Sequence, residues 1–403
     1  MRIQTNSFAF TVLLGLLAAL PSFGIDMVLP ALPATGAALG VSASEAGLTM
    51  SVFLLSLGAA PLIYGPASDR YGRKPIVVFG CTLLVIASVG CALAQSLPAL
   101  LAWRVLQGAG AASTTMTAIA IIRDLFDGLA ARTKMSYVVI AINIVPMVAP
   151  TAGAALLALG GWRLIYTTLV AVGLVLLLAI LLGFNESARI DPANRLMPSV
   201  IVRNYLRVLM HPICLGYILV NATTTGVIFA YATGSSLFFI NAVGLRPDQY
   251  GLIFGASAVA VMGGALLDGR LSARGVVPGT PLMTGLVMLT VAAMSLLATT
   301  LAGWTPLPLV ISLMIIVTLA FGLVTPNVMN AAMQPLPEIA GSVSATAGCV
   351  QMMVAAGSSA LVALLFDGHS ALSMAAVMAS FSALAVASYM RVVRPAERVA
   401  FPA

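Results

Sequence analysis

About every thirty residues this chain repeats one event: some twenty mostly apolar residues, then a short polar break. Twelve such runs can be marked, at about 8–29, 47–65, 75–95, 98–121, 135–158, 162–183, 212–239, 250–267, 280–301, 306–329, 342–365 and 370–391. A helix needs roughly 20 residues to cross the ~30 Å hydrocarbon core of a bilayer. Inside that core every backbone N–H and C=O must be satisfied by the segment itself or by a closed barrel. The runs lack the period-two alternation of a barrel strand. The expected fold is therefore an all-α integral membrane protein of twelve transmembrane helices.

Composition closes the alternatives. Only 8% of the 403 residues are charged and 61% are hydrophobic, whereas a soluble domain carries roughly 25% charged residues. A soluble enzyme, a nucleic-acid binder and a disordered chain are excluded. The stretch from Met1 to Gly24 resembles a secretory leader but lacks a small-residue cleavage site, and further spans follow it. It reads as an uncleaved first span. Cys81, Cys91, Cys214 and Cys349 lie in or beside apolar runs without C-x-x-C pairing, as packed thiols do. His211 and His369 are far apart, so no metal site is expected.

Charge sets the orientation. With the N-terminus inside, sixteen of the nineteen basic residues fall on the cytoplasmic side. They are Arg2, Arg70, Arg73, Lys74, Arg123, Arg132, Lys134, Arg189, Arg195, Arg203, Arg207, Arg270, Arg274, Arg391, Arg394 and Arg398. Arg163 and Arg246 fall outside, and Arg104 falls within span 4. Both termini are expected in the cytoplasm. The longest polar stretch, Asn185 to His211, reads as a surface linker with an amphipathic helix. It divides the chain into six-helix halves, residues 1–184 and 212–403, with residues 185–211 as the linker. Paired repeats of this kind mark secondary transporters. The halves echo each other weakly: GPASDRYGRK (Gly65 to Lys74) after span 2, and GGALLDGRLSARG (Gly263 to Gly275) after span 8.

Gly65 to Lys74 is the most specific segment. Its glycines, Gly65 and Gly72, suit close helix approach and a tight turn. Asp69 can pair with arginine or cap a helix, and Arg70, Arg73 and Lys74 hold the loop at the membrane face. This ordered D-R-x-G-R-K spacing closely resembles the signature loop of the major facilitator superfamily. Three further segments narrow the resemblance: GIDMVLPALP (Gly24 to Pro33), RVLQGAGAA (Arg104 to Ala112) leading into IRDLF (Ile122 to Phe126), and VPMVAPTAGA (Val145 to Ala154) before GWR (Gly161 to Arg163). Together they resemble the Bcr/CflA branch of drug:proton antiporters, the bicyclomycin, chloramphenicol and florfenicol exporters. The specific likeness covers about residues 20–165.

The resemblance implies the major facilitator fold, a proton gradient as energy source with no cofactor, a bacterial inner-membrane location and a monomer. It assigns Arg104 to proton coupling, Gly65, Asp69, Arg70, Gly72, Arg73 and Lys74 to conformational gating, and Pro146, Pro150 and Gly153 to the antiporter helix motif. Read from its own position, Arg104 is either a functional cation inside the bilayer or an anchor snorkelling to the outer interface. Asp26 is the only carboxylate clearly inside an expected span. A carboxyl there can carry a proton or pair with a cationic drug, though it can also be a structural helix-end residue. Where some multidrug relatives carry a second acid deeper in span 1, this chain has Ala18. Tyr217, Asn221, Tyr231, Asn327 and Gln351, with Phe229, Asn241 and Asn330, are candidates for a substrate cavity or for helix contacts. Ser42 and Glu45 form the S-x-x-E pattern of a capping box.

No G-x-x-x-x-G-K-[ST] loop is present, so nucleotide hydrolysis does not drive this chain. No G-x-S-x-G or His/Asp cluster suggests an enzyme. The expected function is proton-coupled efflux of drugs or amphipathic small molecules. The alternative is a facilitator or exporter of a natural metabolite such as a sugar or amino acid. The expected partners are a small-molecule drug, protons and the lipid bilayer, without nucleic acid.

Overall fold

A computed structural model describes residues 4–5, 7–188 and 198–400. Arg2, Arg189 and Arg195, which enter the charge asymmetry, lie outside the described residues, as do Asp191 and Pro192 of the linker. Among the described residues the regular structure is entirely helical, and twelve helices are long and apolar enough to cross a membrane. Spans 1 to 6 are Phe8–Leu39, Ala43–Tyr71, Arg73–Leu93, Leu97–Leu125, Gly128–Gly160 and Trp162–Gly183. Spans 7 to 12 are Pro212–Ala242, Pro247–Ala273, Gly279–Leu301, Leu307–Met333, Pro337–Leu365 and Leu372–Glu397. A further helix, Pro198–Met210, precedes span 7.

The chain forms two compact units: Met1–Met197 with Pro247–Leu252, and Pro198–Arg246 with Ile253–Ala403. Within the first, span 1 packs on spans 4 and 5, span 2 on span 4, and span 3 on spans 4 and 6. Within the second, span 7 packs on spans 10, 11 and 12, and span 9 on spans 10 and 12. The pairings 1–5, 3–4, 3–6 and 1–4 recur as 7–11, 9–10, 9–12 and 7–10, so one packing plan serves both units.

Polarity runs opposite to that of a soluble protein. Arg104, Gln107, Ser88, Ser113, Thr114, Thr224 and Ser358 are buried, whereas Val175, Leu182, Val291 and Leu364 are exposed. Lipid offers no hydrophobic drive between helices, so small residues and polar contacts hold the interfaces. Gly80 faces Ser113, Gly108 faces the Phe53 carbonyl and Gly110 faces the Leu84 backbone, so a side chain at any of these positions would displace a neighbouring helix.

Span 1 is where local sequence rules show most plainly. Pro30 has no N–H to offer the carbonyl of Asp26, four residues back, and its ring crowds that carbonyl. The first helix accordingly ends at Asp26. A 3-10 turn, Leu29–Ala31, follows, and a second helix, Leu32–Leu39, starts at a proline-favoured position with Pro33. Span 2 opens with the capping box read from Ser42 and Glu45: Ser42 N–H donates to Glu45 Oε2 at 2.8 Å and Glu45 N–H to Ser42 Oγ at 3.2 Å.

Candidate functional site

The break in span 1 is the meeting point of the first unit. Asp26, at the last turn before it, is buried, and among the described residues its carboxyl has no hydrogen-bond donor or ion-pair partner. A bare buried carboxyl is costly as an anion. Gly153 of span 5 lies against the backbone of Met27, where a Cβ would collide with the Met27 carbonyl. Pro150, one turn earlier, is buried on the same helix, and Pro146 is half-buried. Gly153 thus lets span 5 seat the turn following Asp26.

Arg104 reaches the same turn from span 4. Its NH1 donates to the Gly24 carbonyl at 3.0 Å and to Gln107 Oε1 at 2.7 Å, and its Nε donates to the Thr49 carbonyl at 3.2 Å. NH2 lies 3.7 Å from Met50 Sδ. The guanidinium carbon stands 4.2 Å from the centre of the Phe53 ring and 6.0 Å from that of Tyr166. Phe53 fits there because Gly24 has no side chain; a Cβ would sit 3.1 Å from the ring. Arg104 is 0% exposed, and its charge lies among carbonyls, an amide and a ring face. Among the described residues it makes no ion pair, with Asp26 or any other acid. Its tie to Asp26 runs through the backbone, two residues along, at Gly24. Gln107, unremarked in the sequence reading, carries the network onward through its Nε2 to Ser88 Oγ at 2.8 Å. The signal was available, since Gln107 stands one turn from Arg104 on the same helix face.

The signature segment differs in shape from a loop. Pro61–Tyr71 is helical and span 3 starts at Arg73, so the connection shrinks to Gly72. Gly72 has φ +98°, and a Cβ there would collide with the Glu186 carboxylate. Gly65 does not make the expected close approach: its nearest neighbour, Met116 Sδ, leaves room for a side chain. Arg73 NH1 pairs with Asp69 Oδ1 at 2.6 Å, and its Nε pairs with Asp124 Oδ2 at the end of span 4 at 2.8 Å. Glu186, just past span 6, accepts from the backbone N–H of Arg73 at 2.8 Å and of Lys74 at 3.0 Å. Lys74 Nζ returns the contact to the carbonyls of Leu181 and Phe184. An acid thus caps the start of one helix while a cation caps the end of the other, each suited to the helix dipole it meets. Arg70 points instead toward the Tyr71 ring, 5.3 Å away.

Four of the five cavity candidates of the second unit hydrogen-bond to different partners. Tyr217 Oη donates to Glu397 at 2.5 Å, Tyr231 Oη to Ser257 at 2.8 Å and Gln351 Nε2 to Thr225 Oγ1 at 3.0 Å. Asn327 Nδ2 donates to Asp268 Oδ1 at 2.6 Å and to the Leu323 carbonyl. Of the five, only Asn221 is buried with both amide atoms unpartnered. Asp268 corrects the view that Asp26 is the sole carboxylate within a span: span 8 runs to Ala273, and Asp268 is buried in it. Its membership was hidden because the apolar run fades at Leu267 while the helix continues.

A twelve-span helical chain with one packing plan used twice and polar clusters buried between its helices has the architecture of a secondary transporter. Comparison with known proteins agrees. A family profile described as "Major Facilitator Superfamily" matches residues 14–359. An "Uncharacterized MFS-type transporter YdgK" of Bacillus subtilis is 30% identical over 92% of each chain. A "Bicyclomycin resistance protein homolog" of Haemophilus influenzae is 28% identical over 89% of this chain and 90% of the relative. Among solved structures, a peptide transporter POT crystallised with sulfate superposes with a TM-score of 0.76 over 98% of this chain and 97% of that one, at 13% identity, a likeness of fold alone. The chain belongs to the major facilitator superfamily and is a multi-pass membrane transporter.

Proposed function

We propose that this transporter exports amphipathic drugs of the bicyclomycin and chloramphenicol kind in exchange for protons, by alternating access, from a bacterial inner membrane with both termini in the cytoplasm. The observation that carries the reading is Asp26: a buried, unpartnered carboxyl at a proline-made break on which Arg104 and Gly153 converge. An unpaired carboxyl at such a place can take up a proton or pair with a cation, but not both at once. Export then follows a cycle. Proton release from Asp26 accompanies one orientation and proton capture the other, and the Arg104 network transmits the change to spans 1, 2 and 4. The Asp69–Arg73–Asp124 cluster, with the Glu186 and Lys74 caps, closes the end of the first unit that faces the cytoplasm in one state and releases it in the other. The likeness to a bicyclomycin resistance homologue supports a drug substrate. The protein works as a monomer.

The test is efflux from proteoliposomes carrying an imposed pH gradient, across a drug panel, with and without a protonophore. Asp26→Asn, nearly isosteric, should stay folded and lose gradient-driven efflux. Normal gradient-driven efflux by that variant would remove Asp26 from the mechanism. Efflux indifferent to the gradient would favour the facilitator of a natural metabolite.

A further inference from the structure

We propose that the helix Pro198–Met210 is an interfacial anchor that lies in the headgroup layer of the bilayer and selects anionic phospholipids. The helix contains no acidic residue and presents three different sides. Val208, wholly buried, inserts into the second unit's core with Ile213, Leu336 and Val343. Val202, Leu206, Leu209 and Met210 are left bare, Leu206 at 52% and Met210 at 81% exposure. At 100° per residue these four fall within one arc about 100° wide, beside the buried side and not on it. Arg203 and Arg207 border the far edge of that arc. Arg207 is tied to Glu338 at 2.7 Å, whereas Arg203, among the described residues, has no ion pair.

The occupant of the bare arc follows from position. The helix ends two residues before Pro212, where span 7 begins, and His211 Nδ1 caps that span by accepting from the Cys214 N–H. The arc therefore sits at the depth where acyl chains meet headgroups. Amphipathic helices rest at that depth with the apolar side a few ångströms into the acyl boundary and cations at the phosphates. Arg203, the cation of this edge that no acid neutralises, favours anionic headgroups, and one such charge is worth about fivefold in lipid retention. The inference needs only a membrane transporter. It is independent of what is transported and of proton coupling.

The test uses full-length protein in nanodiscs of phosphatidylcholine, with and without phosphatidylglycerol. The native cysteines are buried, so an introduced thiol labels selectively. A bimane at Leu206→Cys should be quenched by brominated acyl chains, and one at Asn204→Cys, across the helix, should not. Val202→Cys serves as a second probe should Leu206→Cys run as aggregate on size exclusion. Native mass spectrometry should find phosphatidylglycerol retained over phosphatidylcholine, with Arg203→Gln cutting that preference about fivefold. Equal quenching at positions 204 and 206, or no quenching at 206 and 202, overturns the anchor and leaves a protein partner for the arc. Undiminished phosphatidylglycerol retention in Arg203→Gln overturns the anionic preference.

Discussion

Arg104→Lys keeps the charge in span 4 and removes the fork. The arginine donates to three oxygen acceptors on three helices: the Gly24 carbonyl of span 1, the Thr49 carbonyl of span 2 and the Gln107 amide of span 4. A single ammonium cannot reach acceptors spread around a planar group. If it keeps one bond, two are lost. Hydrogen bonds to charged groups in water-soluble proteins contribute ~1.5–3 kcal/mol, but bonds between membrane helices average ~0.6 and reach ~1.7 kcal/mol. The membrane figures apply here, so the loss is about 1–3 kcal/mol. The face-on contact with Phe53 at 4.2 Å weakens as well. For a unit of this size each kcal/mol shifts the melting midpoint by about 2–4 °C, so a fall of about 2–12 °C is expected. The assay is thermal unfolding of detergent-purified protein at one scan rate, paired with drug-driven proton release. The variant should melt lower and exchange protons poorly even at temperatures where it is fully folded. A lysine variant that melts with wild type and exchanges normally would refute the role of the fork.

Three other substitutions test separate parts. Asp69→Ala breaks a half-exposed ion pair, so it should cost stability little and slow turnover several-fold, with equilibrium drug binding unchanged by scintillation proximity; normal turnover with lost binding would contradict gating. Gly72→Ala forces a side chain into φ +98°, ψ 163° and against the Glu186 carboxylate, and should lower stability by about 1–3 kcal/mol, read as a lower melting midpoint. Gly153→Val drives a branched side chain into the Met27 backbone and should cost about 1–3 kcal/mol and abolish exchange, read as reduced monodisperse yield and transport; wild-type behaviour would show that spans 1 and 5 can separate freely there.

Local rules reached far along this chain. Hydropathy alone marked twelve helices, because hydrocarbon demands about 20 apolar residues per crossing and tolerates few other backbones. The proline spacing after Asp26 encodes the break in span 1, and the S-x-x-E pattern encodes its cap on span 2. These outcomes depend on residues within a turn or two of each other. What lay beyond reach depends on distant partners. No local pattern says that Arg104 lies deep within the first unit and donates to carbonyls 80 and 55 residues away, or that Glu186 crosses 113 residues to cap span 3. Nor does one say that Asp268 enters the core to accept from Asn327, 59 residues on, since its own segment has already turned polar. Carbonyl acceptors carry no sequence identity, and a polar residue in an apolar run looks alike whether it faces lipid, cavity or neighbour. Helix packing alone settles which of these it meets, because rotation of a span by a single residue moves a side chain through about 100°.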